Sequence, residues 1–331
     1  MIYSRVRLAR NWKAYPFPYK LDDTQGRQLV ECLEAGLRDI SEAAEHDYDF
    51  AFLEQLREID RLALRERKIL NSTIVNRKAP TGIILSKDES VSLILNGADH
   101  IRLQCLRPGM GLSEAWEEAD RLDDYINERF EYAFDSKYGY LTSYPTNVGT
   151  GMRASVVVHL PLLSLGNKFR SMLGDMSRFG VNIKGFFGDG QENRGCLYEI
   201  SNQKTLGQTE HELVDTVSRV AGQLAVQELR VREMALKGHS LQYMDEVFKS
   251  YGVLKYAKRL SFKEAMSFLS SLQMGVGCGL ISFEQEPQIF AMMLGIQPAN
   301  LQKLAQKPLD RDELEVARAN YVRAELPELK K

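Results

Sequence analysis

The stretch Tyr140–Leu160, YLTSYPTNVGTGMRASVVVHL, decides how the rest of the chain is read. It crowds Pro145, Asn147, Gly149, Thr150 and Gly151 into one short loop, then passes through Arg153 into an apolar run. Glycine has no side chain, so such a loop can bring its backbone close to a ligand. A guanidinium at the mouth of the next strand can grip phosphate oxygens two at a time. Upstream, SRVRLAR at Ser4–Arg10 carries Arg5 and Arg7 two residues apart, which in a strand puts both on one face. Arg102, in DHIRLQ, alternates with Ile101 and Leu103 as a strand residue does. Together Arg5, Arg7, Arg102 and Arg153 point to a polyphosphate ligand held without a Walker-type loop.

Composition narrows the classes. The chain has 331 residues, enough for two domains, and a formal net charge of −2 gives no basic field of the kind that binds nucleic acid. No apolar run reaches the ~18 residues of a membrane span, and MIYSRVRLAR lacks the apolar core of a signal peptide. The cysteines (Cys32, Cys105, Cys196, Cys278) are scattered, with no CxxC pair, so no metal site is expected. Reduced thiols in a cytoplasmic compartment are the simplest expectation.

Periodicity then lays out the elements. Residues 24–70 read as helix, with many Leu, Glu and Arg, and the basic stretch Arg57–Arg67 as a solvated helix face. Thr81–Ser86 and Val91–Leu95 read as an antiparallel hairpin. Ser113 is a candidate cap for a helix over 114–134. A helix over about 161–178 leads to strands Val181–Phe187 and Cys196–Ser201. Thr209 and Glu212 make a capping box ahead of a helix to about Lys237. Beyond Gly238-His239-Ser240 the chain is nearly all helix formers, with a second capping box at Ser261 and Glu264. The fold class is therefore α+β: a large, mostly antiparallel sheet flanked by helices over residues 1–238, then a helical domain over 239–331.

Among titratable residues, His159 on an apolar strand reads as core, and His100 as a candidate to orient Asp99. Asp189, between Gly188 and Gly190, is either ordinary turn chemistry or a carboxylate beside a phosphate site, able to hold a cationic acceptor or take its proton. Tyr251, Tyr256 and Phe262 read as core.

SRVRLARN, NGADHIRLQC, GYLTSYPTNVGTGMRASVVVHLP and YEISNQKTLGQTEHELV, in that order, resemble the ATP:guanidino phosphotransferases, and most closely the bacterial protein-arginine kinases of the McsB type. The resemblance covers nearly the whole chain. It implies phosphorylation of a guanidinium nitrogen from ATP with Mg2+, a large antiparallel sheet, and a C-terminal helical dimerisation domain. By position it implies nucleotide contacts at Ser4, Arg5, Val6 and Arg7, at Arg102, at Arg153, Ala154, Ser155 and Val156, and over Lys184–Asp189, including Gly185 and Gly188. It also implies arginine-bearing protein substrates, a homodimer, a Clp-type protease and a zinc-binding activator as partners.

Several positions depart from the family pattern. Asn-Glu-Glu-Asp-His reads Asn96-Gly97-Ala98-Asp99-His100, so Ala98 replaces the glutamate that orients and deprotonates the guanidinium. Asp189 stands for a later glutamate, Lys184 for an arginine, Tyr144 for the reactive cysteine, Ile69 for a nucleotide-site histidine, and Leu314-Glu315 for an Arg-Asp pair that binds phosphoarginine. Losing a positioned base typically lowers the rate ~10²–10⁴-fold. Two rescues are open: Asp189 as a substitute carboxylate and Arg194 as a substitute fork. So are three readings: a slow protein-arginine kinase, a nucleotide-binding pseudokinase that acts as scaffold or regulator, and a kinase for a small guanidino metabolite.

Overall fold

The computed structural model describes residues 1–330 except 45, 167–168 and 189–192, and leaves the side chain of residue 170 undescribed. In chain order the elements are β1 (Tyr3–Arg10), α1 (Asp23–Gly36), β2 (Tyr48–Phe52), α2 (Glu58–Glu66), α3 (Ser72–Val75), β3 (Gly82–Ser86), β4 (Val91–Leu95) and β5 (Ile101–Pro108). Next come α4 (Leu112–Arg129), β6 (Phe134–Asp135), β7 (Gly139–Tyr140), β8 (Met152–His159), α5 (Phe169–Ser177), β9 (Val181–Gly185) and β10 (Leu197–Asn202). The chain ends in α6 (Glu210–Tyr256), α7 (Phe262–Gly277), α8 (Ile289–Gly295), α9 (Pro298–Ala305) and α10 (Arg311–Glu325).

An eight-stranded sheet runs β2-β3-β4-β5-β1-β8-β10-β9, and every neighbouring pair is antiparallel. Alternation gives its two faces different jobs. One face, with Val6, Leu8, Leu93, Leu103, Val156 and Ile200, is buried under Leu29 and Leu33 of α1, Ala119 and Leu122 of α4, and Val217 and Leu224 of α6. The opposite face carries the arginines. At the far end of that second face Val157, Phe186 and Leu197 pack with α7, α8 and α10 through Leu269, Met293 and Val322. The C-terminal helices thus cover part of the arginine face and leave the rest as a cleft.

Several sequence expectations need correction. Residues 24–70 are interrupted by β2, whose alternating aromatics Tyr48, Phe50 and Phe52 pair it with β3 at the sheet edge. Helix α4 begins at Leu112 with Gly111 at the cap and no side-chain cap bond, so Ser113 is already inside it. The helix expected over 161–178 is a 3-10 turn at Leu163–Leu165 followed by the shorter α5. The helix from the Thr209–Glu212 capping box does not stop near Lys237; it continues to Tyr256 through a kink at His239 (φ −141°). Arg67 is no solvated face residue: it bonds Asn300 Oδ1 at 2.9 Å and ties α2 to α9. Tyr251 is buried as read, but Tyr256 is 74% exposed. The Ser261–Glu264 box caps α7 as read.

Candidate functional site

Strand register assembles the cleft. Arg7 lies directly opposite Arg153, and Ala9 opposite Arg102, so β1, β5 and β8 bring three guanidiniums together. Arg5 lies opposite Ser155 and reaches across to Glu199 of β10, with which it forms a buried ion pair. Lys184 of β9 is directly opposite Glu199, its Nζ 3.3 Å from the second carboxylate oxygen. Arg153 donates to Ser201 Oγ at 3.0 Å, and Arg102 to the Ile69 carbonyl at 2.7 Å. The Nε groups of Arg7 and Arg102 are buried with no partner among the described residues.

Charge balance follows from these contacts. Burial lowers the Arg7 pKa well below its ordinary value, and repulsion from Arg5, Arg102 and Arg153 lowers it further against the pull of Glu199. Burial and Arg5 bring Arg102 down to about 10. Burial would raise Glu199, but Arg5, Arg7 and Lys184 outweigh it and hold the carboxylate far below its usual range. Desolvated cations with unused donors and too little counter-charge form a site for an anion.

Arg7, Arg102 and Arg153 open into a cavity of about 180 Å³ that is also lined by Ala98, Asp99, Tyr144 and Asn147. Asp99 is anchored through Oδ1, which accepts from Asn11 Nδ2 at 2.7 Å and from the Ser143 backbone N–H at 2.6 Å. The expectation that His100 orients Asp99 does not hold. Its Nδ1 accepts from the Trp12 N–H at 2.9 Å and its Nε2 faces the Pro16 carbonyl at 2.9 Å. His159 is a core residue, as read: its Nε2 lies 2.8 Å from Ser270 Oγ of α7, and burial followed by Arg232 lowers its pKa to about 3.

The Gly-rich loop is held from below. Arg10, 1% exposed, makes a forked pair with Asp123, donates to the Thr150 carbonyl at 2.9 Å and lies over the Tyr140 ring at 3.6 Å. Gly151 has φ +62°, and a Cβ there would fall 2.5 Å from Arg10 Nη1. Gly149 has φ +112°, and its Cβ would meet the Thr205 carbonyl oxygen at 2.2 Å. These close approaches fix the direction in which the chain enters β8 and so place Arg153.

Of the remaining sequence-derived candidates, Ser4, Val6, Ala154 and Val156 lie on the opposite face, Val6, Ala154 and Val156 in the core and Ser4 bonded to the Gly109 carbonyl at 2.9 Å. They align the strands rather than face the cleft. Ser155 lies on the cleft face, 3.4 Å from Arg5 Nε. Gly185 ends β9, and an added Cβ there would fall 1.8 Å from the Gly188 carbonyl oxygen. The Ile69 side chain packs with Leu64 and Ile74, and its neighbour Lys68 faces inward, 4.7 Å from the centre of the Phe186 ring. Arg194 does not line the cavity of Arg7, Arg102 and Arg153; it lines a neighbouring one that it shares with Lys184, Cys196 and Tyr243. Asp189 lies outside the described residues.

Sequence reading missed Glu199 and Gln104. Glu199 could have been found as a charge inside the apolar strand CLYEIS, where burial demands a partner. Gln104 lines a second cavity, of about 280 Å³, with Tyr3, Ile69, Leu106, Phe186 and Phe290. Its buried Oε1 is unpartnered among the described residues.

The antiparallel sheet with its arginine-lined cleft has the fold of solved guanidino kinases. A crystal structure of lombricine kinase superposes with a TM-score of 0.61 at 22% identity, over 72% of this chain and 67% of that one. One of the duplicated taurocyamine kinase from Schistosoma mansoni, with bound transition-state analogue components, gives 0.62 at 25% identity, over 71% of this chain and 33% of that one. The ATP:guanido phosphotransferase C-terminal catalytic domain matches residues 31–231, and the protein-arginine kinase McsB C-terminal domain matches residues 240–331. The protein-arginine kinase of Caldanaerobacter subterraneus subsp. tengcongensis is 38% identical over 98% of this chain and 96% of its own length. That of Halothermothrix orenii is 37% identical over 98% and 93%. The chain belongs to the ATP:guanido phosphotransferase family, in its protein-arginine kinase branch.

Proposed function

We propose that this protein binds ATP with Mg2+ and transfers the terminal phosphoryl group to arginine side chains of proteins, at a rate reduced by Ala98. The observation that carries this reading is that Arg7 and Arg102, each with a buried, unpartnered Nε, line the same cavity as Arg153 and Asp99. Phosphoryl transfer depends on in-line positioning and on neutralising charge over the transferred group. Arg7, Arg102 and Arg153 suit the phosphates; magnesium arrives on the nucleotide as part of the substrate. The aromatic cavity of Tyr3, Phe186 and Phe290 suits the nucleoside, with Gln104 Oε1 as an acceptor.

A guanidinium must lose a proton as it attacks, and its ordinary pKa is above 12. Ala98 brings no carboxylate to that task. Asp99 lines the cavity with one oxygen already anchored, so it is the group to hold an incoming guanidinium by its other oxygen. By sequence alone, Asp189 and Glu192, which follow Gly188, are further candidates.

The test is incubation with MgATP and an arginine-rich protein, followed by a search for acid-labile phosphate on arginine. Turnover that falls at least about tenfold in Asp99→Asn, with ATP affinity unchanged, supports the assignment. ATP binding without turnover favours the second reading, a nucleotide-binding scaffold, which the missing carboxylate at Ala98 also favours. Consumption of free arginine favours a small-metabolite kinase. We further propose that residues 1–238 form the catalytic unit and 239–331 a dimerisation unit in a cytoplasmic homodimer. A Clp-type protease and a zinc-binding activator are proposed as partners on the family resemblance alone.

A further inference from the structure

We infer that Glu199 is an internal stand-in for a phosphate group, which parks Lys184 in the free protein and lowers its affinity for polyphosphate. This rests on the reading of the cleft as a nucleotide site. The geometry is specific. Glu199 is 4% exposed and is acted on by Arg5, Arg7 and Lys184 together. One of its oxygens pairs with Arg5 and the other lies 3.3 Å from Lys184 Nζ. Arg5 is buried and also reaches Ser155 Oγ, so its half of the arrangement is fixed. The Lys184 side chain is 52% exposed, on a single-point ammonium with a flexible stem. Lys184 is therefore the partner that can leave.

A carboxylate among guanidiniums makes the free cleft tolerable to fold, because it offsets part of their mutual repulsion. It also opposes any second anion brought to the same cations. When a triphosphate enters, Lys184 exchanges the carboxylate for a phosphate oxygen, while Arg5 remains on Glu199. The glutamate thus sets a threshold on binding that the arginines alone would not impose.

The test compares wild type, Glu199→Gln, Lys184→Met and the double variant by calorimetry, with MgATP and with inorganic tripolyphosphate as separate titrants. Removing one buried unit charge beside the anion is worth about tenfold in affinity. Glu199→Gln is expected to bind both titrants about tenfold more tightly, and that gain is expected to shrink when Lys184 is also absent. A folded Glu199→Gln protein with equal or weaker affinity overturns the inference, as does a gain that is the same in the Lys184→Met background. Should Glu199→Gln fail to fold, a crystal structure of wild type with tripolyphosphate decides: Lys184 moved onto phosphate supports the inference, and Lys184 still on Glu199 overturns it. Wild type that binds neither titrant overturns the nucleotide reading itself, and this inference with it.

Discussion

Arg7 shows how one residue can be unfavourable for the fold and favourable for the ligand. It is half-buried, its Nε is buried with no partner among the described residues, and it is repelled by Arg5, Arg102 and Arg153. Its removal is expected to act in opposite directions on two measurements. In Arg7→Met the thermal midpoint of the free protein should rise by a few degrees, since ~1 kcal/mol of relieved repulsion shifts a domain of this size by about 2–4 °C. The dissociation constant for MgATP, by calorimetry, should increase about 10–100-fold, the worth of a lost charge-assisted contact. A midpoint that falls together with affinity would mean that Arg7 is an ordinary structural residue.

At the scale of elements, the cleft depends on a loop and a joint. The loop enters β8 through Gly149 and Gly151 in backbone conformations that side chains rarely adopt. Gly149→Ala would drive a methyl group into the Thr205 carbonyl, so a loss of about 2–4 kcal/mol is expected in denaturant unfolding. The joint is His159, at the end of β8, against Ser270 of α7 and Arg232 of α6. Arg232 and the chain's amino terminus both oppose a proton there. With a folded pKa near 3 against ~6.5 unfolded, the imidazole stays neutral in the fold while the unfolded chain takes up a proton below about pH 6.5. Its contribution is therefore complete above pH 6.5 and is lost as pH falls towards 3, at up to about 1.4 kcal/mol per pH unit. Unfolding measured from pH 7 to pH 4 should show this slope, and His159→Gln should flatten it.

The parts of this design that could be read in the sequence are those encoded locally. Two-residue alternation in SRVRLAR and MRASVVVH gives both the strands and their cleft-facing arginines. The capping boxes at Thr209 and Ser261 mark true helix starts. What escaped depends on contacts distant in the chain. Arg5 meets Glu199 only because β1 and β10 both flank β8. β2 hides between helices because its partner lies some thirty residues on. His100 looked like a support for Asp99 by adjacency, but Asn11 and Ser143, from two other segments, hold that carboxylate.

For the molecule as a whole, α6 joins the two halves. Its first part packs Val217, Val220 and Leu224 on the core side of the sheet, and past the kink at His239 its Val247 and Leu254 join the C-terminal cluster. That second part leaves Leu241, Met244 and Phe248 exposed at 78%, 40% and 45%, spaced to share a helix face. Such a stripe suits the proposed homodimer. Wild type should run at twice the chain mass in light scattering, and Leu241→Glu with Phe248→Glu should run at the single mass. Wild type at the single mass would leave the stripe without that role.

The surplus of positive charge in the cleft also bears on how the protein endures heat. A fold that holds more cations than it can neutralise is electrically unfinished until a polyanion completes it. Each hundredfold excess of such a guest over its dissociation constant adds about 2.7 kcal/mol to the folded state. On the proposed nucleotide reading, the protein's resistance to unfolding should therefore follow the supply of nucleoside triphosphate around it, rising in well-fed cells and falling in starved ones.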